Sequence, residues 1–95
     1  MNVLAEAPSA LSGTYLDSDG SPLSISAVSL FDSTGERLLT AVTNMKGVFE
    51  FSGLKAGDYL LKFTKSGAPD VWYGGDDKTP VTVGSGDVRV KFRYP

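Results

Sequence analysis

The chain has 95 residues, 41% hydrophobic and 21% charged, with a net charge of −2 and a pI near 4.8. That is enough for one globular domain with its own core, too little for separate catalytic and binding domains, and too acidic for a positive field that would draw in nucleic acid. Cysteine and histidine are both absent, which removes disulfides, thiol nucleophiles, Ser-His-Asp sets and zinc sites of the usual ligands, so neither an enzyme nor a cofactor is expected.

No apolar run approaches the roughly 20 residues that cross a bilayer, and no membrane insertion is expected. Residues 1–9 read as a flexible leader and residues 10–95 as a single domain. The leader lacks the apolar stretch of a signal peptide, which puts any export signal outside it. Ala10–Leu16 is predicted as the first strand, with Leu11, Gly13 and Tyr15 on one face. Asp17–Pro22 is a dense turn signal. A second strand, Ser26–Phe31, turns Val28 and Leu30 inward and leaves Ser29 and Phe31 on the outer face. Arg37–Thr43 alternates poorly, because Leu38, Leu39, Ala41 and Val42 make both faces apolar. It is predicted to be covered on both sides or to pass between two sheets. Asn44–Gly47 is predicted to close a hairpin.

The strongest fold signal lies in the middle third. Phe49 and Phe51 share one face of a strand, and Tyr59, Leu61 and Phe63 share one face of the next, Asp58–Phe63; such period-two alternation buries one sheet face. Gly53 and Gly57 bracket Leu54, which is expected to plug the end of the core. Lys65–Pro80 is the longest irregular piece. Val81–Val83 is a short strand, GSGD a tight turn, and Val88–Arg93 the last strand. There Val88, Val90 and Phe92 point inward, and Arg89, Lys91 and Arg93 outward. No segment shows a helical period. The fold class is all-β, a Greek-key β-sandwich of about seven strands.

Several of these residues form a pattern. Gly13 in the first strand and Val28 and Leu30 in the second are followed by the run Gly47, Phe49, Phe51, Gly53, Leu54, Gly57 and Tyr59. From Leu11 to Phe92 the chain resembles the carboxypeptidase-regulatory-like, or transthyretin-like (prealbumin-like), family of β-sandwich domains, and the related B-type repeats of collagen adhesins. The resemblance implies a prealbumin-like or immunoglobulin-like sandwich. It also implies a structural or spacer module of a secreted or cell-surface multidomain bacterial protein, monomeric, with neighbouring domains as partners. Its first and last strands would carry the load. Many adhesin repeats hold an internal isopeptide bond between a first-strand Lys and a last-strand Asn. Leu11–Asp17 has no Lys and Val88–Pro95 no Asn, so none is expected here.

Trp72, Tyr73, Asp76 and Asp77, bordered by Gly74 and Gly75, are the candidate ligand site. Flat rings beside carboxylates suit a glycan or protein ligand, with Phe31 as a further contact; the plainer reading has Trp72 covering a sandwich edge and Tyr73 capping the core. Asp17 and Asp19 resemble the opening of a calcium loop, but the twelfth position is Val28 where such a loop needs Glu, and a turn explains both. Asp76 and Asp77 would join them only if the two loops met at one end. Lys62, Arg89, Lys91 and Arg93 form one basic outer face if their strands share a sheet, a stripe that guards an edge. Glu36, Glu50 and the Asp residues show no convergence that would serve paired-carboxylate catalysis. The outer face of Leu38, Thr40 and Val42 is a candidate for contact with a second copy.

Overall fold

The computed structural model describes residues 9–84 and 86–95, apart from the side chain of Asp77. Residues 1–8 of the expected leader and Ser85 of the GSGD turn lie outside the described residues. The strands are β1 (Ser9–Leu16), β2 (Ala27–Asp32), β3 (Arg37–Val42), β4 (Val48–Leu54), β5 (Gly57–Phe63), β6 (Val71–Trp72), β7 (Val81–Val83) and β8 (Val88–Arg93). A single 3-10 turn, Gly75–Asp77, lies between β6 and β7. The expected Greek-key sandwich is present, with one strand more among the described residues than the sequence suggests, because the two-residue β6 sits inside the segment read as irregular.

One layer is a three-stranded sheet in the order β4-β1-β8, and the other runs β3-β2-β5, with β6 and β7 both pairing the far side of β5. In the first layer β1 is antiparallel to β4 and parallel to β8. The two inner faces meet over a core whose hub is Phe63. Its ring stacks on Phe92 at 4.0 Å and meets Tyr15 and Phe49 at 4.9 and 5.7 Å. Leu11, Val28, Leu30, Phe51, Leu54, Tyr59, Leu61, Val81 and Val83 complete it. Each such side chain contributes about 1.5–3 kcal/mol on leaving water. Buried polar groups are partnered: Thr43 donates to the Leu23 carbonyl and accepts from the Ser26 N–H, and the Tyr15 hydroxyl donates to the Thr64 carbonyl.

Alternation reveals which face a residue takes but not which strand it pairs. Asn44–Gly47 closes no hairpin, since β3 and β4 lie in different sheets and the turn arches between layers. Asn44 holds that arch by accepting from the N–H groups of Lys46 and Val48. β4 and β5 likewise sit in opposite sheets, with Leu54 buried in the corner they make.

β3 departs most from expectation. It is neither covered on both sides nor threaded between the sheets, but lies at an edge with Leu38, Leu39 and Val42 at 41%, 45% and 60% exposure. The poor alternation has its cause in a bulge: Leu30 pairs Leu39 and Phe31 pairs Arg37, so Leu38 is an extra residue. One inserted residue breaks period-two alternation and twists an edge away from further pairing.

Candidate functional site

β6 pairs antiparallel with the end of β5, placing Trp72 opposite Lys62, and Lys62 in turn pairs Ser29 of β2. Phe31, two residues along β2, therefore shares the outer face of the five-stranded sheet with Lys62 and Trp72. The Phe31 and Trp72 rings lie 5.0 Å apart and tilted by 56°. The Lys62 ammonium sits 5.3 Å from the Phe31 centroid and 5.1 Å from that of Trp72, and Lys78 sits 4.7 Å from Trp72. Cations at these distances are held by the negative ring faces.

The loop after β6 fixes Lys78 in place. Gly74 has φ 81° and Lys78 φ 51°, both left-handed. Lys78 N–H donates to the Gly75 carbonyl and Thr79 N–H to that of Tyr73. A Cβ at Gly74 would lie 2.0 Å from Thr79 Oγ1 and 2.7 Å from its backbone nitrogen, so only glycine fits the loop.

The four candidate residues do not form one platform. Trp72 faces outward on Phe31, while Tyr73 turns inward, its ring 6.3 Å from Phe92. Asp76 is exposed, and the Asp77 side chain lies outside the described residues. Tyr73 thus caps the core as the plainer reading has it. Trp72 keeps to the outer surface, half-buried, with lysines over its ring. Sequence reasoning marked Trp72 and Phe31 but not Lys62 and Lys78 as their companions, because the companionship depends on β5–β6 register.

Asp17 and Asp19 are engaged by their own turn and, for Asp17, by Lys65. Asp17 Oδ1 accepts from the Lys65 ammonium at 2.7 Å and from Ser18 N–H, and Asp19 Oδ1 accepts from Ser21 N–H. The Lys65 hydrogen bond, then that of Ser18, holds the Asp17 carboxyl below its ordinary value. The Gly75–Asp77 turn lies alongside the middle of β5, between the Lys62–Phe63 and Gly57–Tyr59 pairings, whereas Asp17 follows the end of β1. The two acidic loops therefore do not meet at one end of the sandwich. Among the described residues no group of three or more acidic side chains is placed to hold a metal ion.

The expected basic face is split. Lys62 belongs to the five-stranded sheet, and Arg89, Lys91 and Arg93 to the three-stranded one. On that second outer face Glu50, Ser12 and Arg89 form one cross-strand row, and Val48, Thr14 and Lys91 the next. A groove of about 360 Å³ runs here, lined by Ser12, Thr14, Val48, Glu50 and Arg89. It contains one carboxylate, where glycoside hydrolysis uses two.

The model of the carboxypeptidase regulatory-like domain matches residues 10–93. The chain belongs to this family. No curated protein matches this carboxypeptidase regulatory-like domain. Among solved structures it is similar to 5-hydroxyisourate hydrolase of Klebsiella pneumoniae, with 28% identity and a TM-score of 0.67 over 90% of this chain and 89% of that one. It is similar to BcpA, the major pilin subunit of Bacillus cereus, at 21% identity and a TM-score of 0.59, over 88% of this chain and 28% of the pilin. The Bacillus anthracis TIE protein shares 19% identity at a TM-score of 0.69, over 93% of this chain and 16% of that one. The domain thus spans about a quarter of the pilin's length. These likenesses establish a prealbumin-like sandwich.

Proposed function

We propose that this domain is a non-catalytic structural module, a spacer in a secreted or cell-surface multidomain bacterial protein. One observation carries the reading: the first and last strands are neighbours, paired in parallel from Leu11–Val88 to Leu16–Arg93. The chain therefore enters at one end of this pair and leaves at the other, about 23 Å away along the strand axis. A pull on the two ends slides β1 against β8, and every hydrogen bond of the ladder shares the load at once. Tyr15 of β1 and Phe92 of β8 both pack on Phe63, which ties these strands to the opposite layer. The pilin likeness supports a surface setting.

Tandem copies pulled through their ends test the proposal. Each copy is expected to resist and then to unfold in one step; gradual lengthening with no force peak would contradict a load-bearing role.

A second reading rests on the Phe31–Trp72 pair, of which Trp72 is half-buried and Phe31 only 9% exposed: a glycan or protein ligand held at the outer face of the five-stranded sheet. Lysines over the rings oppose the stacking of a neutral sugar. Tryptophan emission that shifts on adding acidic glycans, and not neutral ones, would favour this reading; no shift with either would end it.

A further inference from the structure

Among the described residues β8 stands at an open edge, paired with β1 on one side alone. The direction of its backbone groups follows from one bond, the Tyr94 N–H donating to the Leu16 carbonyl at 2.8 Å. In a strand the N–H and C=O of one residue point to one side and those of the next to the other. Val90 and Phe92 therefore address β1, as Tyr94 does. Arg89, Lys91 and Arg93 aim their N–H and C=O groups into the open edge.

The side chains alternate as well. Arg89, Lys91 and Arg93 are exposed on the outer face, while Val88 and Val90 are half-buried on the inner side. The Arg93 guanidinium is committed to the Ser18 carbonyl. Arg89 and Lys91 enter no ion pair among the described residues. The edge thus offers unpaired backbone groups, two uncommitted cations on one side and an incompletely covered apolar rim on the other.

We propose that this edge docks an extended acidic peptide segment, which adds as an antiparallel fourth strand beside β8. In an antiparallel pair, residues exchanging both hydrogen bonds sit directly opposite and share a face. Those positions on β8 are Arg89, Lys91 and Arg93; with the Arg93 side chain committed to Ser18, the incoming residues opposite Arg89 and Lys91 meet a free guanidinium and ammonium on the outer face. Opposite charges favour such cross-strand pairs and like charges oppose them. Carboxylates fit both positions, and the alternating apolar residues, one between them and one beyond Arg89, would cover Val90 and Val88. The same rule disfavours a second copy docking through its own β8, since cation would face cation. Strand addition of this kind takes its affinity from main-chain bonds and its selectivity from alternate side chains.

Fluorescence anisotropy with short labelled peptides tests this on the intact chain. A peptide alternating glutamate and valine is expected to bind. Its isomer with the glutamates in one block, and an alternating lysine–valine peptide, are expected to bind far less. The double substitution Arg89→Glu, Lys91→Glu should weaken the acidic peptide by at least about tenfold and recruit the lysine peptide. Lys91→Pro removes an N–H that faces the open edge and spares the pairing with β1, so it should bind more weakly than Lys91→Ala. Methylating the backbone nitrogen of the central glutamate gives the same readout on unaltered protein. Equal binding of the alternating and block peptides would reduce the edge to a charged stripe and overturn the proposal. So would full binding by the methylated peptide. Concentration-dependent dimers on a sizing column that Glu50→Ala abolishes would assign the edge to β4 of a second copy, and overturn it too.

Discussion

Gly13 shows how tightly a single residue can be constrained. A Cβ there would lie 2.5 Å from the Val90 carbonyl oxygen and 2.6 Å from Phe49 Cζ, so the ring and the neighbouring strand both occupy the place a side chain would need. Gly13→Ala should destabilise by about 1–3 kcal/mol, since backbone cannot retreat as a side chain does. Thermal melting would show a fall on the order of 10 °C; an unchanged midpoint would mean β1 and β8 are further apart than described. Tyr15, in the same strand, gives a pH signature. Burial above all, then the charges of Tyr94, Asp17 and Asp70, pushes its hydroxyl from 10.0 up to about 12. The unfolded chain ionises at its lower, ordinary value while the fold keeps the proton, so stability is complete below pH 10 and is lost as pH rises towards 12. Chemical denaturation at stepped alkaline pH should show that decline, and Tyr15→Phe should flatten it while costing about 1 kcal/mol at neutral pH for the lost bond to Thr64.

At the scale of elements, faces were legible in the sequence and partners were not. Leu11, Tyr15, Val28, Leu30, Phe49, Phe51, Tyr59, Leu61 and Phe63 take the predicted inner positions because alternation is a local property. Pairing depends on distant residues, which is why the arch at Asn44–Gly47 reads as a hairpin and why Lys62 reads as a companion of Arg89. The β3 bulge at Leu38 looks in sequence like a strand with two apolar faces. The site was half legible: the outward place of Phe31 follows from alternation along β2, whereas the half-buried Trp72 beside it and the lysines that cap it follow from β5–β6 register and from the left-handed turn at Lys78. That turn makes a prediction of its own. Gly74→Ala should displace Thr79 and swing Lys78 off the indole, and Lys78→Ala should remove the cation with the loop intact. Both should raise acrylamide quenching of Trp72 emission; unchanged quenching in both would mean Lys78 does not sit over the ring.

At the scale of the whole molecule, the decisive feature is that the domain's two ends attach to one pair of strands at opposite extremities. Nothing in local alternation points to this, because it depends on β8 returning beside β1 and running the same way. Tyr15 on Phe63 and Phe63 on Phe92 bind the pair to the opposite layer, so sliding β1 past β8 also breaks core contacts. The most direct measurement pulls the same domain along two directions. In one, force acts through the two ends. In the other, it acts between the N-terminal end and a cysteine handle at Gly86, where an added Cβ meets nothing within 4 Å and the strand pair is peeled from one extremity. Unfolding forces several-fold higher through the two ends are expected, because sliding loads the ladder together and peeling loads one bond at a time. Equal forces in both directions would contradict a module built to bear load through its first and last strands.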